Sequence, residues 1–140
     1  MTQQEIKSAI ENILNNSSVG TMATVQHNKP HSRYMTFSPN GLNLYTATDK
    51  HTHKIEELEK NPYTHILLGY EGDGYGDDYV EYEGKVHITD SLELKKKLWS
   101  PNMEKWFDNA NDPNYIVLEI SPEKIALMNK TGLEPRILEL

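Results

Sequence analysis

Cysteine does not occur among the 140 residues of the chain. Disulfides, thiolate metal ligands and a cysteine nucleophile are therefore excluded. Long apolar runs are also missing, because no stretch approaches the roughly 18 residues that a membrane-spanning helix needs. Residues 1–5 show neither the basic start nor the apolar stretch of a signal peptide. We therefore expect a cytoplasmic protein that does not bind membranes.

Basic residues are fewer than acidic ones, 14 against 21, and the formal net charge is -7. Such a negative field repels a nucleic-acid backbone unless a local basic patch overcomes it. The basic run Lys95 to Lys97 lies among leucines at helical spacing, which is typical of a solvated helix face. We therefore expect no nucleic-acid partner, and local geometry must bind any small anion.

The length of 140 residues suits one domain with one core. We expect residues 1–140 to form this domain, with an N-terminal helix at 1–16 and a tail at 132–140. The helix is predicted by the capping-box spacing of Thr2 and Glu5, which precedes apolar residues at intervals of three and four.

Most of the remaining chain shows strand patterns. Residues 19–25 and 32–37 predict a hairpin, and a strand at 42–48 follows a turn at 38–41. The later predicted elements are a helix that Asn61 and Pro62 end, strands at 63–70 and 79–89, helices at 92–99 and 102–109, and strands at 115–120 and 124–128. This order favours a mostly β (α+β) fold, a six-stranded antiparallel barrel with short peripheral helices.

A glycine-rich segment and a pair of histidines could suggest a nucleotide, calcium or metal site, but their spacing does not support one. The glycine-rich segment 71–78 lacks the glycine spacing of a dinucleotide loop, and an EF-hand alignment would place Tyr82 where a carboxylate is needed. It therefore predicts a mobile hairpin loop. His51 and His53 have no acidic residue or third histidine nearby at a ligand spacing, so we expect no metal site.

The segment 46–54 gathers groups that suit a phosphate. A strand ends at Thr48 and a helix that Thr48 or Asp49 could cap begins, so backbone amides and the positive end of the helix dipole point to one place. His53 and Lys54 lie at the same point, and Arg33 could reach it from a neighbouring strand. The alternative is a surface arginine, a surface lysine and an ordinary helix cap, and the residues alone leave both interpretations open.

Short motifs also follow one another in a specific order along nearly the whole chain. They are GTMATV at 20–25, PHSRYM at 30–35, LYTAT at 44–48, THK at 52–54, NP at 61–62, EGKV at 83–86, Asp90, LW at 98–99, DP at 112–113 and ISPE at 120–123. This order resembles the FMN-binding split-barrel family related to pyridoxamine 5′-phosphate oxidase, in particular its general stress protein 26 group.

The resemblance implies a six-stranded split barrel that forms a homodimer with FMN at the subunit interface. Arg33 and Lys54 would bind the FMN phosphate with help from Thr52, and His53 would be a further cofactor-binding residue. The isoalloxazine and ribityl chain would be lined by Tyr34, Met35, Thr46, Ala47 and Thr48.

The implied activity is that of an FMN-dependent oxidoreductase with a stress-related role and an unidentified small-molecule substrate or electron donor. The alternatives are a non-catalytic flavin-binding protein for storage or sensing, and a split barrel that binds a deazaflavin or haem. Complete pyridoxamine 5′-phosphate oxidases carry an arginine-histidine substrate motif near the C-terminus, where this chain has Pro135, Arg136, Ile137 and Leu138. We therefore do not expect it to oxidise pyridoxamine phosphate.

Overall fold

The computed structural model describes residues 1–72 and 76–140. The helices are α1 (Gln3–Asn16), α2 (His53–Lys60) and α3 (Leu92–Leu98), and a 3₁₀ helix follows at Pro101–Lys105. The strands are β1 (Val19–Gln26), β2 (Lys29–Thr36), β3 (Ser38–Asn40), β4 (Asn43–Asp49), β5 (Tyr63–Leu68), β6 (Tyr79–Thr89), β7 (Tyr115–Met128) and β8 (Arg136–Ile137). Residues 73–75, at the centre of the predicted glycine-rich loop, lie outside the described residues.

The described strands form one antiparallel sheet in the order β2-β1-β5-β6-β7-β4-β3, with β8 paired to β7. The sheet curls until β4 approaches β2, and the Thr46 hydroxyl donates to the Thr36 carbonyl at 2.7 Å. Apart from this side-chain contact, no ladder of hydrogen bonds joins the two strands among the described pairings. The predicted fold class, a mostly antiparallel split barrel, is confirmed.

The number of strands differs from the predicted six. Six long strands are present in the described residues, and the short β3 and β8 bring the total to eight. β3 lies where a turn was predicted and pairs with the start of β4, with the turn itself confined to Gly41 and Leu42. Segments of two or three residues are too short to show a period of two, so the sequence pattern does not reveal them.

β7 is one strand where two were predicted. The chain stays in the sheet through Ser121 and Pro122. Gly84 of β6 pairs with Pro122 and Glu83 with Lys124, so Glu123 is an extra, unpaired residue that forms a bulge in β7. Such a bulge tolerates a residue that has no backbone N–H. A Cβ at Gly84 would lie 2.6 Å from the Ile120 side chain, so the close packing at this point requires glycine.

The C-terminal residues are packed rather than forming a free tail. β8 pairs with β7, and Leu138 is only 5% exposed. Gln3 at the start of α1 donates to the Ile137 carbonyl at 3.1 Å and accepts from the Glu139 amide at 2.7 Å. The segment 132–140 therefore fastens α1 to the barrel.

The helices agree with the sequence at α1 and differ at their boundaries elsewhere. Thr2 and Glu5 form the predicted capping box, with hydrogen bonds of 3.1 and 3.0 Å. α2 begins at His53 with Thr52 as its N-cap, because Asp49 still belongs to β4. A 3₁₀ helix at 101–105 replaces the α-helix predicted at 102–109. None of the helices in the described part of the chain combines the length and hydropathy of a membrane span.

Two apolar clusters hold the fold. The larger fills the barrel and includes Leu14, Met22 and Leu118. The smaller, which we call the outer cluster, consists of Tyr45, Phe107, Tyr115 and Val117 and packs the segment 98–107 against β4 and β7. Lys95 of α3 contacts this cluster. Its buried side chain donates to the Asp112 carbonyl at 3.0 Å, and its ammonium lies 5.2 Å from the centre of the Tyr115 ring.

Candidate functional site

An open cavity of about 820 Å³ lies where β2, β4 and the segment 98–107 meet. This volume is within the range of small-molecule and cofactor sites. Its lining residues are Val19, Tyr34, Met35, Thr36, Ser38, Tyr45, Thr46, Ala47, Thr48, Asp49, Thr52, Lys54, Leu98, Ser100, Asn102, Met103, Lys105, Trp106 and Phe107.

The opening of the split barrel forms this cavity. Among the described pairings, β2 pairs only with β1, and β3 covers β4 only as far as Tyr45. The edges of β2 and of residues 46–49 in β4 therefore carry backbone groups without a neighbouring strand. Such edges bind polar groups of a ligand or of another chain.

One end of the cavity is polar and contains the Lys54 ammonium. Lys54 Nζ donates to the Thr48 hydroxyl at 2.6 Å and to the Thr52 hydroxyl at 3.1 Å. The Thr52 hydroxyl in turn donates to the Asp49 carbonyl at 2.9 Å. The end of β4 and the start of α2 therefore fix the position of the lysine. An ammonium has three N–H groups, and one of them has no recorded partner among the described residues.

Lys54 lies half-buried beside a second cation. Burial lowers the pKa of Lys54, the Arg33 guanidinium lowers it further, and the Asp49 and Glu57 carboxylates oppose this effect. Lys54 nevertheless forms no ion pair with a carboxylate in residues 1–72 or 76–140. A partly desolvated cation without an ionic partner is a favourable place for an anion.

The Arg33 guanidinium is bound by groups of β1 and α2. Its Nη1 donates to the Thr24 hydroxyl at 2.7 Å and to the Met22 carbonyl at 3.3 Å, and its Nη2 lies 3.3 Å from Glu57 Oε2. A guanidinium has five N–H groups. Three of them are used in these bonds, so two are left with no recorded partner among the described residues.

Glu57 on α2 is a carboxylate with only 2% of its side chain exposed. It accepts a hydrogen bond from the Thr24 hydroxyl, and its Oε1 lies 2.9 Å from His31 Nδ1. The Thr24 hydrogen bond lowers the pKa of Glu57 against the opposing effect of burial, and His31 and Arg33 lower it further. Glu57 is therefore a charged, fully partnered group beneath Arg33.

The rest of the cavity is largely apolar and aromatic. Met35, Ala47, Leu98, Met103 and Phe107 are among its apolar lining residues. Of these, Ala47, Leu98 and Met103 pack against the outer cluster, to which Phe107 belongs. At the rim, Tyr34 is 79% exposed and Trp106 is 72% exposed. Large exposed aromatic side chains beside a cavity indicate a surface that binds a ligand or another chain.

The structure brings together seven of the nine residues predicted for the site. Tyr34, Met35, Thr46, Ala47, Thr48, Thr52 and Lys54 all line the cavity. Arg33 is not among the lining residues, although it is close enough to affect the charge of Lys54. His53 is exposed on the first turn of α2 and does not line the cavity. Whether these residues bind a cofactor stays a prediction.

Sequence reasoning missed two parts of the site. The segment 98–107 lies about 50 residues beyond Lys54 in the chain, and its signal was the apolar and aromatic content of Leu98, Met103, Trp106 and Phe107. No role was predicted for Glu57 from the sequence. Its spacing of three residues from Lys54 was the available signal, because such positions share one face of a helix.

The two histidines considered as metal ligands have other surroundings. His51 Nδ1 lies 3.2 Å from Asp49 Oδ1, and the His51 amide donates to the same oxygen at 2.8 Å. Within the described ranges, no three histidine, aspartate or glutamate side chains are grouped so that they could hold a metal ion.

Comparison with known proteins finds a matching family and similar proteins over nearly the whole chain. The family described as pyridoxamine 5′-phosphate oxidase matches residues 6–129. General stress protein 26 of Bacillus subtilis (strain 168) is 55% identical over 140 residues, which is 100% of both chains. The crystal structure of general stress protein 26 from Bacillus anthracis str. Sterne is 35% identical, covers 97% of this chain and 99% of its own, and superposes with a TM-score of 0.85.

A more distant solved structure shares the fold alone. It is an FAD-binding protein from Mesorhizobium loti, 19% identical, which matches 84% of this chain and 90% of its own with a TM-score of 0.70. Together, these comparisons confirm the resemblance inferred from the order of short motifs.

Proposed function

Because the chain belongs to the pyridoxamine 5′-phosphate oxidase family, we propose that it is a flavoprotein that binds FMN in the cavity between β2 and β4. One observation carries the proposal. A half-buried ammonium without a carboxylate partner among the described residues lies at one end of a cavity whose remainder is largely apolar and aromatic. FMN has the matching shape and chemistry, with a phosphate at one end and a broad apolar ring system at the other.

The cationic end fits a phosphate in charge and in hydrogen bonding. Lys54 has one N–H group and Arg33 has two that no described residue uses. The hydroxyls of Thr48 and Thr52 hold the ammonium in place before any ligand arrives. A preorganised pair of cations binds a phosphate with charge-assisted hydrogen bonds, which are roughly twice as strong as neutral ones.

The apolar end fits the isoalloxazine ring. Met35, Ala47, Leu98, Met103 and Trp106 supply apolar surface to the cavity lining. Burial of a flat ring system against such a surface favours binding, and the polar groups orient the ring. We expect the polar atoms of the ring to bind the backbone edge of residues 46–49.

When bound, FMN supplies hydride and electron transfer, and the protein supplies position and electrostatics. We therefore propose a cytoplasmic FMN-dependent oxidoreductase with a role in stress, whose substrate or electron donor is a small molecule. The chain's own residues hold the phosphate with Lys54 and Arg33 and restrict water at the ring with the segment 98–107.

We further propose that two copies of the chain form a homodimer around the cavities. Val19, Tyr34 and Trp106 are large exposed apolar side chains at the rim, and a second subunit would bury them. Size-exclusion chromatography with light scattering should show a dimer, Tyr34→Asp should shift it towards monomer, and Leu133→Asp, at a position 92% exposed and outside the cavity, should not. A monomeric wild type would contradict the dimer.

The absorption spectrum of the purified protein tests the flavin proposal. We expect flavin bands, either as purified or after addition of FMN at micromolar concentration. A colourless protein that fails to bind added FMN would rule out the flavin function. Addition of NADH or NADPH without oxygen should bleach the bound flavin; if neither these nor other reductants from a cell extract do so, a storage or sensing role is favoured.

A further inference from the structure

Buried Glu57 has no part in the family resemblance or in the lining of the FMN cavity, yet its carboxylate connects to Arg33 in two ways. Its Oε2 lies 3.3 Å from Arg33 Nη2, and the same oxygen accepts from the Thr24 hydroxyl. The Thr24 oxygen in turn accepts from Arg33 Nη1 at 2.7 Å.

This arrangement fixes the direction of the Thr24 hydroxyl. An ionised carboxylate only accepts hydrogen bonds, so the hydroxyl hydrogen must point at Glu57. The Thr24 oxygen then presents its lone pairs to Arg33. Glu57 therefore orients Arg33 both directly and through Thr24, and the guanidinium is bound along one side.

The opposite side of the guanidinium is the one left for a ligand. Three of its N–H groups are used by Met22, Thr24 and Glu57. The side chain of Arg33 is 26% exposed while that of Glu57 is 2% exposed, so the carboxylate lies beneath and the cation faces outwards. Glu57 also opposes the mutual repulsion of Arg33 and Lys54.

We propose that Glu57 is a positioning residue that holds Arg33, through Thr24 and through its own carboxylate, in the orientation that binds the FMN phosphate. The proposal rests on the proposed FMN function. A positioning role and a purely electrostatic role predict opposite changes in FMN affinity when Glu57 is neutralised. Removing a negative charge near a phosphate should tighten FMN binding, whereas loss of Arg33 orientation should weaken it.

The test measures selectivity for FMN over riboflavin, the same flavin without its phosphate, as the ratio of their dissociation constants. Glu57→Gln keeps the shape and removes the charge. We expect it to lower the selectivity about fivefold, the effect of one misplaced hydrogen bond. Glu56→Gln is the matched control, because Glu56 is the exposed neighbour on the same helix, and it should keep the wild-type ratio.

Two further variants keep the proposal testable if Glu57→Gln does not fold. Thr24→Val removes the linking hydroxyl and should lower the selectivity by a similar factor, and Thr24→Ser, which keeps the hydroxyl, should restore it. In an Arg33→Ala background, Glu57→Gln should cause no further loss, since its effect acts through the arginine.

The outcomes separate this inference from the proposed function. If the wild type prefers FMN and Glu57→Gln or Thr24→Val keeps or raises the selectivity, Glu57 only balances charge and the positioning role is overturned. The flavin function would then still stand. If the wild type binds no FMN, both are overturned.

Discussion

The Lys54 ammonium lies 2.6 Å from the Thr48 hydroxyl, which joins the first turn of α2 to the end of β4. Neither residue is fully exposed, and Thr48 is itself buried. The contact therefore places a positive charge at a fixed point on the cavity wall. Because the charge has no carboxylate partner within the described residues, we expect it to favour anionic ligands in the cavity.

Replacement of Lys54 by methionine should weaken FMN binding and leave riboflavin binding almost unchanged. Methionine keeps most of the length and apolar contact and removes the charge. A hydrogen bond to a charged group contributes about 1.5–3 kcal/mol, and Arg33→Ala should cost a similar amount. Isothermal titration with both flavins measures the effect. Lys60→Met is the control, because Lys60 is an exposed lysine at the other end of α2. If Lys54→Met and Lys60→Met lost equal FMN affinity, Lys54 would not be assigned to the phosphate.

FMN binding should also weaken at alkaline pH. Burial and Arg33 lower the pKa of Lys54 from its ordinary value of 10.5, and a bound phosphate would raise it again. Above about pH 7, where the FMN phosphate is doubly ionised, affinity should therefore stay constant while the free lysine is charged and fall as the pH rises through its lowered pKa.

A pH series of the FMN-to-riboflavin selectivity measures this loss, because both flavins share the ionisation of the ring. Lys54→Arg stays charged throughout, so its selectivity should stay flat. A wild-type ratio that does not change up to the alkaline limit of folding would show that Lys54 does not contact the phosphate.

Trp106→Ala should weaken the binding of FMN and riboflavin equally. Trp106 lines the apolar part of the cavity and is 72% exposed, so a bound ring would bury it. The loss should be about 1–2 kcal/mol for either flavin, the scale of burying part of a large aromatic side chain. Tyr63→Ala, an exposed aromatic on β5 outside the cavity, should change neither affinity. A loss confined to FMN would place Trp106 at the phosphate end instead.

Leu138→Ala should destabilise the fold by about 2–4 kcal/mol, the usual cost of emptying a buried leucine site. Leu138 is 5% exposed and packs in the main core beside β8. Chemical denaturation followed by circular dichroism measures the free energy of unfolding. Leu133→Ala, at a position 92% exposed in the same segment, should change it by less than about 0.5 kcal/mol. Equal stability of the two variants would mean that the C-terminal segment does not stabilise the barrel.

Sequence patterns predicted the long elements of this fold because their periods repeat often enough to be recognised. α1 has four apolar positions on one face, and the residues at 19–25 and 42–48 alternate or carry β-branched side chains. The short β3 and β8 offer no period. β7 continues through Pro122 with a bulge at Glu123, opposite Glu83 and Gly84 of the neighbouring strand, and no local signal in β7 itself reveals its partner.

Part of the candidate site could be predicted from the sequence, and part could not. Residues 46–54 are contiguous, so their hydroxyls and Lys54 could be grouped from the sequence alone. The segment 98–107 lies at the cavity because Phe107 belongs to the outer cluster and Leu98 and Met103 pack against it, and the other members of that cluster are distant in sequence. Glu57 has the sequence pattern of a solvated helix charge, and its burial beneath Arg33 and beside Thr24 follows from the packing of α2 against β1.

The most direct test of the central claim is a titration of the wild-type protein with FMN and, in parallel, with riboflavin. The account predicts saturation at one FMN per chain and FMN affinity at least about tenfold above that of riboflavin, since a charge-assisted hydrogen bond contributes 1.4 kcal/mol or more, roughly one factor of ten. Absence of FMN binding, or equal affinity for the two flavins, would contradict it.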